Sequence, residues 1–350
     1  MKRRIEWLDF GKGFFIFLVV IAHVLDGVQG KKIYNNVVNS NIHIISDFLF
    51  FFVMPIFFAM SGYLFKRQTT LREYLIFVRK KAINLLTPYV AFSIIYVMLQ
   101  QVGGDDLAYK HAVSSLLLIW YKPVGYLWFL YVLFFVYVLV GLLSYLKIKY
   151  QYQLLIYTLG YILTLKFQIN LIIFQTFGDA IFFVVGIFVK KYISSLELKK
   201  NTVFWITFII TIISFVISIY SLGINYYFNN LGLDSKNGLT LLIIIPKIIS
   251  CVACFSFCLC IKETTYFFKY FQKYGKNSLI IYLVHLPVVA IIGDIVLKIS
   301  VPPVSILILV MFLGAWIVSL IAVVFSNKFS IIRFIFSPIN TYKEWREKLS

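Results

Sequence analysis

The chain has 350 residues, 61% of them hydrophobic and 13% charged, with a mean hydropathy of +0.90. That composition excludes a water-soluble globular domain, and apolar runs of about 20 residues without period-two alternation exclude a barrel in favour of membrane-spanning helices. The formal net charge of +19 is read as loop charge that orients the chain in a bilayer rather than as a nucleic-acid footprint.

Ten spans are expected, at about 13–29, 44–65, 83–101, 126–146, 153–167, 171–190, 203–222, 239–261, 277–298 and 303–325. The fold class is therefore all-α: a polytopic integral membrane bundle of about ten transmembrane helices. The first run follows a basic start, but no small-residue cleavage site follows it, so it reads as a retained span rather than a signal peptide. With the N-terminus placed in the cytoplasm, the inner segments hold 24 lysines and arginines and the outer segments seven. This bias persists loop by loop and predicts that both termini are cytoplasmic. Residues 1–326 read as one transmembrane domain and 327–350 as a cytoplasmic tail. The longest outer loop, about 102–125, carries an apolar piece from His111 to Tyr121 that is too short to span, which suits an interfacial helix or a re-entrant lid.

The first span opens Arg4-Ile5-Glu6-Trp7-Leu8-Asp9-Phe10-Gly11-Lys12-Gly13 and runs apolar from Phe14 to Val28, with His23 singled out inside it. An ionisable side chain within a span is costly and is by default a functional candidate. Lys12 and His23 are eleven residues apart, which brings them within about 20° of one helix face, and Asp9 falls within roughly 60° of that stripe. The imidazole then lies about 16 Å deeper than the ammonium. Imidazole is the usual base for a hydroxyl near neutral pH.

The second span ends Met54-Pro55-Ile56-Phe57-Phe58-Ala59-Met60-Ser61-Gly62-Tyr63-Leu64-Phe65. A proline there loosens the backbone, and Gly62 admits another backbone or a ligand. The basic stretch from Lys66 to Lys81, including Arg79 and Lys80, reads as topology signal or as a phosphate-capturing surface. Trp128, in the aromatic start of the fourth span, suits an interfacial belt or a stacking surface for a sugar.

The four cysteines, Cys251, Cys254, Cys258 and Cys260, share one span and read as packing residues, with no metal site expected. Lys247, beside Pro246 in that span, is a lesser candidate. The ninth span begins Tyr274-Gly275-Lys276-Asn277-Ser278-Leu279, with Asn277 as the expected N-cap and His285 about 12 Å further in.

Four of these motifs, in order, resemble the membrane acyltransferase-3 family: Asp9 with Lys12-Gly13 and His23; Met54 to Phe58 with Ser61 to Phe65; Leu127-Trp128-Phe129-Leu130; and Tyr274 to Leu279 with Tyr282 and His285. Many members carry arginine where this chain has Lys12; the lysine form is similar to the branch named after fucose 4-O-acetylases.

The resemblance implies an O-acetyltransferase of the cell membrane, taking acetyl from cytoplasmic acetyl-CoA to a hydroxyl of a cell-surface or exported polysaccharide. It implies catalytic roles for His23, Lys12 and Asp9, with His23 as base. Ser61, Gly62, Tyr63, Arg79 and Lys80 fall on the acyl-donor side, and Trp128, Asn277, Ser278 and His285 on the acceptor or oxyanion side. The expected partners are the lipid bilayer, acetyl-CoA and a carbohydrate, with no nucleic acid and no metal. An exporter or flippase of glycans is the alternative that the same span count and buried histidines allow.

Overall fold

The computed structural model describes residues 4–102, 111–167, 170–222 and 240–349. Lys2, Arg3, Lys110 and Lys236 of the charge tally, and residues 103–110 of the long outer loop, lie outside that set.

The described residues form helices and no strands. The elements are α1 (Glu6–Gly30), α2 (Asn36–Tyr63), α3 (Leu71–Val102), two 3-10 turns (Val113–Leu118 and Gly125–Leu127), α4 (Trp128–Tyr145), α5 (Tyr150–Phe167), α6 (Leu171–Lys191), α7 (Ile193–Leu198), α8 (Lys200–Leu222), α9 (Thr240–Cys260), α10 (Tyr266–Gly275), α11 (Ser278–Ile299), α12 (Val304–Lys328), α13 (Ser330–Phe336) and α14 (Pro338–Leu349). Nine helices among the described residues are long and apolar enough to cross a membrane: α1, α2, α3, α4, α6, α8, α9, α11 and α12. The protein is thus a polytopic helical membrane bundle.

The expected fifth span forms as α5, an 18-residue helix, but Gln151, Gln153, Thr158, Thr164 and Lys166 hold its hydropathy down, and it is not among the nine. α3 begins about twelve residues before the expected span. Thr70 and Glu73 explain the early start. The Glu73 amide donates to Thr70 Oγ1 at 3.2 Å, while Glu73 Oε2 accepts from the amides of Thr69 and Thr70. This capping box starts the helix inside the basic stretch. Arg79 and Lys80 therefore stand exposed on a helix, not in a loop.

The chain divides into two compact units. The first comprises Met1–Val19, Ile44–Arg67 and Leu142–Lys276. Its core is aromatic: Phe10 stacks on Phe268 at 4.9 Å, Phe14 meets Phe271 edge-on at 5.4 Å, and Trp7 meets Tyr63 edge-on at 5.1 Å. Helices approach closely through glycines. A Cβ on Gly13 would overlap the Phe271 carbonyl, one on Gly275 the Asp9 carbonyl, one on Gly62 the Phe183 carbonyl, and one on Gly186 the Ala59 carbonyl. Small residues at such crossings let helices pack tightly where lipid supplies no hydrophobic drive. The four cysteines are free thiols, three of them buried. Lys247 of α9 has Asp179 of α6 and Asp47 of α2 as electrostatic partners, and its Nζ lies 5.7 Å from the ring centroid of Phe51. Pairing is what makes an intramembrane lysine tolerable.

The second unit comprises Val20–His43, Gln68–Gly141 and Asn277–Ser350. Gly27 of α1 lies against Val289 and Met311, so α1 packs directly on α11 and α12 there. The Lys31 ammonium donates to Asp294 of α11, and the Tyr34 hydroxyl donates to the Pro302 carbonyl at 2.7 Å. α3 and α4 are joined by Lys81, whose Nζ lies 3.5 Å above the Tyr137 ring. The apolar piece after His111 is a 3-10 turn rather than an α-helix. The hydroxyls of Tyr89 and Tyr131 hold it, donating to the carbonyls of Ile119 and Trp120. The expected tail forms α13 and α14, tied by Arg333 to Glu344 at 2.8 Å, with Phe336 packed on Phe92 of α3.

Candidate active site

The second unit brings the two intramembrane histidines together. His285 Nε2 lies 3.3 Å from His23 Nδ1, and His285 Nδ1 lies 3.1 Å from the Ile281 carbonyl oxygen. These contacts assign the tautomers. A carbonyl only accepts, so Nδ1 of neutral His285 carries the hydrogen and Nε2 the lone pair. That lone pair accepts from Nδ1–H of His23. The lone pair of the His23 ring therefore resides on Nε2, the nitrogen facing away from His285. His285 is fully buried, while His23 is half-buried.

A proline and two tyrosines fix this arrangement. Pro287 has no amide hydrogen, so the Leu283 carbonyl lacks its helical partner. The Tyr126 hydroxyl donates to that carbonyl at 2.5 Å. The Tyr282 hydroxyl in turn donates to the Tyr126 carbonyl. The turn Gly125–Leu127 is thereby tied twice to α11, at Tyr282 and Leu283 just before His285, with the Tyr126 ring 5.7 Å from the imidazole. Gly125 holds φ at +50°, where a side chain would be strained and would press on Tyr96.

The other residues singled out in the sequence divide between the units. In the first, Asp9 is half-buried and its Oδ2 has no hydrogen-bond partner among the described residues. Lys12 is half-buried one turn further on. Ser61 Oγ donates to the Phe57 carbonyl at 2.9 Å, Gly62 packs on the Phe183 backbone, and Tyr63 is buried against Trp7. Gly62 thus meets another backbone.

In the second unit, Arg79 and Lys80 are exposed, and Trp128 is half-buried at the start of α4. Asn277 occupies the N-cap position of α11, but its side chain makes no capping bond. Asn277 and Ser278 precede His285 by about two turns of helix.

Sequence reasoning passed over Asp26. It stands three residues past His23 in the same run, and the aspartate itself was the signal. Apolar neighbours masked it: Val24 and Val28 are fully buried, Leu25 nearly so.

The fold and this hydrogen-bonded pair define the class: a helical membrane protein with ionisable chemistry held inside the bundle. The acyltransferase domain family matches residues 5–324, and the chain belongs to that acyltransferase-3 family. It is thereby a membrane acyltransferase. No curated protein and no solved structure matches the chain.

Proposed function

We propose that the protein is an O-acetyltransferase of the cell membrane, with both ends in the cytoplasm, moving acetyl from acetyl-CoA to a hydroxyl of a cell-surface or exported polysaccharide. Family membership supports acyl transfer. The observation that carries the assignment of the base is the polarised chain from the Ile281 carbonyl through His285 to His23.

In this reading His23 Nε2 takes the proton of the acceptor hydroxyl as its oxygen attacks the thioester carbonyl. The tetrahedral intermediate expels the CoA thiolate, which recovers the proton from Nε2–H. The products are an ester and CoA thiol, with no net proton released. His285 orients the base by fixing its tautomer, a role separate from the acceptor or oxyanion side on which the motif placed it. Lys12 in the first unit, and Arg79 and Lys80 in the second, have the charge that CoA phosphates require. Lysine at position 12 acts as a point charge, without the bidentate fork of arginine.

The test uses the purified full chain in lipid nanodiscs with acetyl-CoA and a defined oligosaccharide, following thiol release and ester formation together. His23→Ala should lower kcat by about 10²- to 10⁴-fold, the usual worth of a general base, at unchanged protein level. Full activity in that variant would remove His23 as the base.

A further inference from the structure

The reaction proposed above makes no use of α10. This helix sits between α9, which ends at Cys260, and α11, which begins at Ser278. Both neighbours are long and apolar enough to cross a membrane, so residues 261–277 turn at its surface. Thr265 starts the helix there: its Oγ1 accepts from the Phe268 amide at 3.2 Å.

α10 carries three different stripes. At 100° per residue, Phe268, Phe271 and Gly275 fall within about 60° of one another, and they are its buried face. Phe268 stacks on Phe10, Phe271 meets Phe14 and Phe17 edge-on, and Gly275 lies on the Asp9 carbonyl. The helix is thereby fixed to the start of α1 within the first unit. Tyr266, Tyr270 and Phe267 share a second sector of roughly 100°. They stay uncovered, at 94%, 42% and 45% exposure. Lys269 and Lys273 lie within about 60° of Tyr266 on its other side, and both are exposed.

Other basic residues of this unit are committed to helix ends. Lys200 donates to the Leu259 carbonyl at 2.8 Å, Lys190 to the Phe65 carbonyl at 3.2 Å, and Arg67 to the Ser144 carbonyl at 3.0 Å. Among the described residues the Lys269 ammonium makes no hydrogen bond or ion pair, and Lys273 lies 5.4 Å from the ring of its neighbour Tyr274. Residues 261–277 hold four lysines against one acid, Glu263.

We infer that α10 is an interfacial helix that binds anionic phospholipid headgroups: Tyr266, Phe267 and Tyr270 enter the headgroup layer, and Lys269 and Lys273 take the phosphates beside them. Aromatic rings favour that depth. A cationic flank beside an apolar one draws a helix to anionic lipid. A pocket for a phosphate compound in water gives no reason for three bare rings beside its lysines. The inference is independent of the acyl donor and the acceptor.

The experiment titrates the purified full chain in neutral detergent with phosphatidylglycerol or phosphatidylcholine and follows the unfolding temperature. The value without lipid checks that each variant is folded. Phosphatidylglycerol should stabilise the parent at lower concentration than phosphatidylcholine. That preference should fade at about 1 M salt, where screening shortens to about 3 Å. Lys269→Gln/Lys273→Gln should need about 25-fold more phosphatidylglycerol, at about fivefold per lysine, with the phosphatidylcholine response unchanged. Tyr266→Gln should weaken the response to both lipids. Lys191→Gln/Lys199→Gln removes the same charge from exposed positions elsewhere in the unit and should alter neither response.

Equal responses of the parent to the two lipids overturn the inference, and so does an undiminished preference in the Lys269/Lys273 variant. An equal loss in the Lys191/Lys199 variant overturns the assignment to α10, since the attraction then belongs to the whole basic face. Competition by acetyl-CoA for the phosphatidylglycerol response overturns it in favour of donor phosphates. If Tyr266→Gln splits an oligomer while lipid preference stays, the aromatic flank seats a second copy of the chain and the inference falls.

Discussion

Pro287 sets a problem two residues from His285, and Tyr126 solves it. The Leu283 carbonyl faces a proline nitrogen without hydrogen, and in a membrane an unpaired carbonyl has no water to turn to. The Tyr126 hydroxyl fills the position at 2.5 Å. Two side chains far apart in sequence are therefore coupled through one carbonyl, and the coupling can be measured. Tyr126→Phe should destabilise the protein by about 1–2 kcal/mol, the worth of a hydrogen bond whose acceptor is then left buried and bare. With Pro287→Ala the new amide closes the helical bond itself, so Tyr126→Phe in that background should cost much less. Thermal unfolding of the four proteins in one detergent gives the double-mutant cycle; additive losses would show that the hydroxyl acts elsewhere. The parts of this arrangement were visible in the chain as single letters. Their pairing was not, because Tyr126 and Leu283 are 157 positions apart and no local spacing rule links them.

Helix contacts explain why several motif residues are glycine. Gly13 follows Lys12, Gly62 follows Ser61 and Gly275 precedes Lys276 and Asn277, and each lies where a Cβ would overlap a neighbouring backbone. Gly13→Ala should push α1 off α10 at a cost of about 1–3 kcal/mol, the usual worth of overpacking. Gly30→Ala on the same helix, which has nothing within 4 Å, is the matched control and should be near neutral. Equal unfolding temperatures for the two variants would contradict the close approach. Element existence was largely legible here, since long apolar runs become helices wherever backbone groups must be satisfied internally. The start of α3 escaped notice because its first turns are basic, although Thr70 and Glu73 spelled out the capping box. α5 forms where the fifth span was expected, and its glutamines leave it less apolar than the nine. Asp26 was lost to the apolar average around it, and the His23–His285 contact joins residues 262 apart, so only the folded chain could reveal it.

At the scale of the molecule, the proposed acetylation of a glycan is to be weighed against the alternative of glycan passage. A bundle of nine long apolar helices among the described residues is compatible with both, and so are intramembrane charges. The balance turns on what those groups are doing. Lys247 is matched by Asp179 and Asp47 inside the first unit, which reads as an internally settled charge rather than a row of sites along a path. The histidines of the second unit are locked to each other and to a carbonyl, an arrangement that orients one nitrogen and gains nothing for a translocated polymer. Family membership points the same way. Removal of the gene should therefore leave surface polysaccharide made, exported and of normal length, but without base-labile acetyl groups in its proton NMR spectrum. His23→Ala supplied in place of the parent should reproduce that spectrum, since the proposed base is lost while the bundle is kept. Polymer retained inside the cell in either strain would instead assign the protein to export, and the histidine pair would then need a different account.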